Sequence, residues 1–208
     1  MVLTAVMTAV VAVLQLLGSF IRFGPFSISL VLVPIVIGAA VCGAWSGAWL
    51  GLAFGVIVLA SGDAAAFYAI NPLGTVVTVL VKGVLAGLTA GIVYKLLYAL
   101  TSRVEGGRKE AKRKWVDRLI SGVLKYLPVI GAAVICPVVN TGVFLLGCKL
   151  FFYDTIVEWG TALGYANAGA YMFLGLAGGN FLFELLTNVL LSPGIVKLLS
   201  LNKKIFKF

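Results

Sequence analysis

The chain has 208 residues, of which 62% are hydrophobic and 11% charged, where a soluble domain carries about half and a quarter. One soluble core of this size cannot hide so much apolar surface, so the composition excludes an ordinary soluble domain and points to a polytopic membrane protein. The formal charge is +9 with no histidine, which excludes His-based nucleophile sites, zinc motifs and proton relays.

Further chemistry is excluded by spacing. Cys42, Cys136 and Cys148 form no CxxC pair, so neither a redox couple nor a structural zinc site is indicated. The seven acidic residues are scattered. No catalytic residue, metal site or cofactor is expected, and the chain does not read as an enzyme. Of the 16 basic residues, nine fall between Lys95 and Lys125 and four between Lys197 and Lys207. Basic clusters beside apolar stretches are what positive-inside topology produces, and they fit anionic lipid better than nucleic acid.

Residues 2–21 are apolar apart from Thr, Ser and Gln15. Twenty residues at about 1.5 Å each match one bilayer core. The stretch lacks a basic leader and a clear cleavage site, so it reads as a retained first helix. Gly24-Pro25 signals a turn. Residues 28–61 carry no charge and suit two helices broken near Cys42-Gly43, with Pro34 kinking or loosening the first. Residues 62–72 read as a loop, and Asn71-Pro72 opens a long helix to about Leu100.

Residues 101–126 read as a basic cytoplasmic loop with a Gly106-Gly107 hinge. Within it, Trp115, Leu119 and Val123 fall on one face of an amphipathic helix at the membrane surface. A fifth span is expected from about Leu127 to Phe152, with Pro128 and Pro137 inside it. Residues 153–167 read as a second polar loop. A sixth span runs from about Ala168 to Leu191, where Ser192-Pro193-Gly194 marks a break. The expected fold is therefore all-α: a single domain, residues 1–208, forming a bundle of six transmembrane helices. An even count places both termini on the cytoplasmic side of the cell membrane, together with 13 of the 16 basic residues. No internal repeat is evident.

Small residues recur at four-residue spacing: Gly47, Gly51 and Gly55 in span three, Gly83, Gly87 and Gly91 in span four, and Ala5, Ala9 in span one. Such faces let helices approach closely in lipid. They serve internal packing or, for span one, docking of another membrane subunit. Polar residues inside apolar spans carry more information, because lipid exposure is costly for them. Lys82 lies in span four, Asn140 and Thr141 in span five, and Asn180, Glu184 and Asn188 form a stripe on span six. Lys82 and Glu184 form a buried ion pair, line a polar cavity between spans four, five and six, or do both. Aromatic groups in the outer loops, among them Phe67, Tyr68 and Trp159, belong to an interfacial belt or cover a pocket.

The chain resembles the substrate-binding S component of energy-coupling-factor (ECF) vitamin transporters. The resemblance spans essentially the whole chain. It rests on residues 26–38 (Phe26 to Gly38), the glycine-rich run through Gly55, Lys82-Gly83-Val84-Leu85-Ala86-Gly87 and the end of span six through Ser192-Pro193. It implies a six-helix subunit that binds a micronutrient from outside and joins a transmembrane T component and two cytoplasmic ATPases. The lack of a phosphate-binding GxxxxGK[ST] motif in this chain is consistent with that division of labour. The family's Ala-x-x-x-Ala contact with the T component matches Ala5 and Ala9. Its outer pocket matches, by location, Lys82, Asn140, Asn180 and Glu184, with Phe67, Tyr68 and Trp159 as cover. The implied transport step is reorientation of the whole subunit. No signature for thiamine or biotin is present, and riboflavin, folate, pantothenate and related compounds stay open. The residues alone also admit a self-sufficient small transporter or channel with Lys82 and Glu184 as a gated pair, or a ligand-free membrane scaffold.

Overall fold

A computed structural model describes residues 2–19, 22–23, 26–27, 30–108 and 114–205, with side chains for 2–19, 30–104 and 123–197. The order is α1 (Val2–Gly18), β1 (Arg22–Phe23), β2 (Phe26–Ser27), α2 (Leu32–Cys42), α3 (Ala44–Ser61), α4 (Ala65–Tyr68), α5 (Pro72–Arg108) and α6 (Lys114–Phe151). It continues with α7 (Tyr153–Ala162), α8 (Ala168–Ala170), a π-helix (Tyr171–Gly178) and α9 (Gly179–Ile205). The two-residue strands pair antiparallel, Arg22 opposite Ser27 and Phe23 opposite Phe26; Gly24 and Pro25, where a turn is expected, lie outside the described residues. Apart from turns and short connections, the other described residues are helical.

Four helical stretches are long and apolar enough to cross a bilayer: Ala44–Ser61, Pro72–Val104, Val123–Phe151 and Ala168–Lys197. Val2–Gly18 and Leu32–Cys42 are apolar but shorter. Among the described residues four of the six expected spans therefore have the length of a bilayer crossing, and two are shorter. The 11 residues of α2 rise only about 16 Å, half of a bilayer core.

The α2–α3 break falls where it is expected, because Gly43 adopts φ 94°, a backbone region open mainly to glycine. Pro34 does not kink its helix. It sits in the first turn of α2, where an N–H would have no helical partner to lose. Asn71 caps α5: its Oδ1 accepts from the Gly74 N–H at 2.9 Å, and Pro72 occupies the first helical position.

Several expected loops are helical instead. Residues 62–72 contain α4. Helix α5 runs through Gly106 and Gly107 to Arg108, and α6 begins at Lys114, so most of the basic segment is helix. The side chains of Trp115 and Leu119, and of Phe23 and Phe26, lie outside the described residues. Residues 153–162 form α7, which buries Ile156 and Gly160 and leaves Asp154 and Glu158 exposed. Helix α9 continues through Ser192-Pro193-Gly194. Pro193 has no N–H to give the Val189 carbonyl one turn earlier, and the preceding Ser192 Oγ donates to the Asn188 carbonyl at 3.0 Å.

Helix α5 packs most extensively against α3 and α6, and α9 lies against α6. Glycines set the α3–α5 approach. A Cβ on Gly47 would overlap the carbonyl oxygen of Gly87, and one on Gly51 that of Gly83, with the reverse overlaps also present. The main core fills the bundle centre with Val11, Leu32, Ile35, Leu50, Ala86, Ala132 and Ile195 among its members. A smaller cluster gathers at one end around Phe67, Cys148, Phe152, Ile156 and Tyr171. The basic segments that end α5, begin α6 and end α9 lie at the opposite end.

Candidate functional site

The Phe67 end of the bundle encloses a cavity with about 630 Å³ of atom-free space, its open mouth included. Each contributing element presents its end nearest this face. Gln15 comes from the last turn of α1, Phe54 and Val58 from α3, and Asp63 and Ala64 from the turn that follows. Thr75, Thr78, Val79 and Lys82 come from the first three turns of α5. Phe144 comes from the last turns of α6, Phe152 from the break between α6 and α7, and Asn180 and Glu184 from the start of α9.

Lys82 is half-buried, about 15 Å along α5 from Pro72. Its Nζ lies 5.5 Å from the ring centroids of both Phe54 and Phe144, within the range in which an aromatic face attracts a cation. Glu184 is buried. Its Oε1 accepts from Asn180 Nδ2 at 3.2 Å and its Oε2 from Asn140 Nδ2 at 3.4 Å. A buried carboxylate needs such donors to hold its place. Lys82 and Glu184 line the same cavity, but among the described residues they do not form an ion pair. Amides and not the lysine serve the carboxylate.

The stripe on α9 is continuous. Asn188 Nδ2 donates to the Glu184 carbonyl at 2.8 Å, one turn below the carboxylate. The π-helix that precedes α9 widens the chain just before Asn180, and π segments recur at functional sites.

The remaining expected residues sort by position. Phe67 lines the cavity and is a hub of edge-to-face contacts. Its ring centroid lies 5.7 Å from Phe144, 5.0 Å from Phe152 and 5.6 Å from Trp159. Trp159 therefore backs the wall from α7 without lining it. Asn140 also stands behind the wall, through Glu184. Thr141 is half-buried and Tyr68 exposed, and neither lines the cavity. Ala5 and Ala9 lie on an exposed face of α1 with Val2, Val6 and Val13.

Sequence reasoning missed Gln15, Asp63, Thr75 and Thr78 as parts of this site. Gln15 is buried, and its Nε2 donates to Asp63 Oδ2 at 2.5 Å, tying the end of α1 to the turn after α3. The available signal was a lone amide in an apolar first span and a lone acid in the next outer turn.

These features define a class: a multi-pass helical membrane protein with a polar, aromatic-walled cavity at one end. The family model for the substrate-specific component of ECF transporters matches residues 1–196, and the chain belongs to that family. Neither the curated proteins nor the solved structures contain a match.

Proposed function

We propose that this chain captures a vitamin-like micronutrient at the outer face of the cell membrane and delivers it inward as the S component of an ATP-driven ECF transporter. The observation that carries the reading is the cavity, which joins Lys82, Asn180, Glu184 and Asp63 under Phe67 at one end of the bundle. The basic segments lie at the other end, so positive-inside topology turns the cavity outward and leaves both termini in the cytoplasm. Membership of the family supports partnership with a T component and two ATPases, which supply the hydrolysis. Ala5 and Ala9 offer the T component a small-residue surface that permits close helix approach. Phe67, backed by Trp159, covers the ligand, with Tyr68 at the rim. Lys82, Asn180 and Glu184 contact it, and Asn140 and Thr141 support them from α6.

Native mass spectrometry of the detergent-purified chain tests binding, and co-purification with a T component and two ATPases tests assembly. A retained small molecule together with a four-part complex is the expected result. A chain that transports alone, or that neither retains nor binds any small molecule, would overturn the proposal.

A further inference from the structure

Helix α5 is longer than the membrane is thick. A Cβ on Gly91 would overlap the backbone of Ala44, so Gly91 lies level with the α2–α3 turn. Trp45, the next residue of α3, is 84% exposed, and tryptophan favours the membrane interface. No charge falls between Lys82 and Lys95. These markers put the inner edge of the hydrocarbon near Gly91. Lys95 follows about 6 Å further along, within a headgroup layer about 5–8 Å thick. Arg103 stands about 18 Å past Gly91, and Arg108, where α5 ends, about 26 Å. A typical tilt of about 20° shortens these heights by under about a tenth.

Helix α6 accompanies α5 past this edge. A Cβ on Gly131 would overlap the Leu97 side chain, so the two helices touch there. From Gly131 back to Lys114, where α6 begins, the helix runs about 26 Å. Thr101, about 15 Å past Gly91, is still buried, so the extension is packed and not frayed. A two-helix arm thus projects from the end of the bundle opposite the cavity.

Beyond Lys95 the two helical stretches carry Arg103, Arg108, Lys114, Arg118 and Lys125 against Glu105 and Asp117. Positive-inside topology asks for basic residues near the ends of spans, not for a helical mount that carries them away from the membrane. Most of this charge stands about 10–20 Å beyond the headgroups. That exceeds the Debye length of about 8 Å over which anionic lipid would attract it. A phosphate backbone would repel the interspersed acids. The arm therefore fits an acidic protein surface on the cytoplasmic side.

We propose that the α5–α6 arm docks on an acidic face of one of the cytoplasmic ATPases. This rests on the S-component function and adds a contact to it, separate from the small-residue face that α1 offers the T component inside the membrane.

The four-part complex, held in phosphatidylcholine nanodiscs, is treated with a carbodiimide, which joins a lysine amine to a carboxylate in contact with it. Peptide mapping should find Lys114 or Lys125 joined to an aspartate or glutamate of an ATPase. Arg103→Glu and Arg118→Glu should each lower capture of the preformed T–ATPase module about fivefold or more in low salt. The loss should shrink in molar salt, where charges are screened. Lys95→Glu makes the same reversal at headgroup height and should change capture by less than about twofold. The isolated variants should melt like the parent and show the same thermal shift with a small-molecule cell extract.

Unchanged capture by Arg103→Glu and Arg118→Glu, an equal loss for Lys95→Glu, or links confined to the T component overturns the proposal. So does a rise in melting temperature with added phosphatidylglycerol that Arg118→Glu loses while capture stays normal, a result that assigns the arm to lipid. In each of these cases the complex still forms, and the S-component function stands. A parent chain that captures no module removes both.

Discussion

Gly51 and Gly83 meet backbone to backbone: a Cβ on either would overlap the carbonyl oxygen of the other. The contact lies between α3 and α5, one residue after Lys82. It therefore sets how far the lysine stands from the cavity wall that α3 supplies through Phe54. In lipid, close packing of this kind replaces much of the hydrophobic drive that stabilises soluble cores.

A single methyl at this contact should be felt. Gly51→Ala and Gly83→Ala are each expected to destabilise the bundle by about 1–3 kcal/mol, as overpacking does. At Gly142 in α6 an added Cβ would meet nothing within 4 Å, so Gly142→Ala should be neutral or stabilising by up to about 1 kcal/mol. Thermal unfolding of the three variants in one detergent checks the contrast. A Gly51→Ala protein as stable as Gly142→Ala would mean that the helices shift apart without cost.

Glu184 gives the second prediction. Its partners are Asn140 and Asn180, and both amides also have an unpaired oxygen. If either amide turns over, it can accept from a glutamine at position 184. Glu184→Gln should therefore fold, with a loss of about 1 kcal/mol or less. Glu184→Ala removes the acceptors and strands both amides, at about 1–3 kcal/mol for each unsatisfied group. Melting temperatures read the ranking, and equal losses for the two variants would contradict it. Loss of a lysine–glutamate ion pair is not part of this expectation, since Lys82 and Glu184 do not form one.

The parts of this site that are legible in the sequence share one property: a polar residue stands out inside an apolar helical run. Asn180, Glu184 and Asn188 announce a buried stripe because their four-residue interval puts them on one face. Lys82 stands out as a cation inside an otherwise apolar run, far from the basic residues that end its helix. Gln15, Asp63, Thr75 and Thr78 carry no such pattern. Each reads locally as a polar break, a turn residue or a cap neighbour, and only the packing of α1, α3 and α5 brings them together. The helices that read as loops have a related cause. In α7, Asp154 and Glu158 mask the buried Ile156 and Gly160, and in α5 the Gly106-Gly107 pair suggests a hinge that its neighbours override. Propensity is a weak prior against such context.

Ala5 and Ala9 supply the third prediction. They are exposed on α1, and α1 packs inward against α2 and α3 through its other face. Ala5→Leu and Ala9→Leu should leave ligand binding by the isolated chain unchanged. Capture of the T component should fall about tenfold or more, equivalent to ~1.4 kcal/mol, because a larger side chain holds the helices apart. Pull-down of the complex and ligand titration, made on the same preparations, separate the two effects. Loss of ligand binding with an intact complex would place the docking surface elsewhere.

The last prediction concerns Lys82. Its ammonium is held by the faces of Phe54 and Phe144, an interaction of about 0.5–2 kcal/mol, and among the described residues it forms no ion pair that a neutral side chain would break. Lys82→Met keeps most of the apolar stem and places a polarizable sulfur against the same rings. The ligand-free variant should therefore melt close to the parent. Binding should suffer much more. The lysine is the one cation among the residues lining the cavity, and a hydrogen bond from a charged donor contributes about 1.5–3 kcal/mol, or roughly 10- to 150-fold in affinity. Lys82→Arg should recover only part of this, because the larger, planar guanidinium presents its charge and donors in a different place from the compact ammonium. Dissociation constants for the retained small molecule, measured for the parent and both variants, test the order. A Lys82→Met chain that binds with undiminished affinity would show that the lysine only fills space between the rings, and the polar contacts would then fall to Asn180 and Glu184 alone.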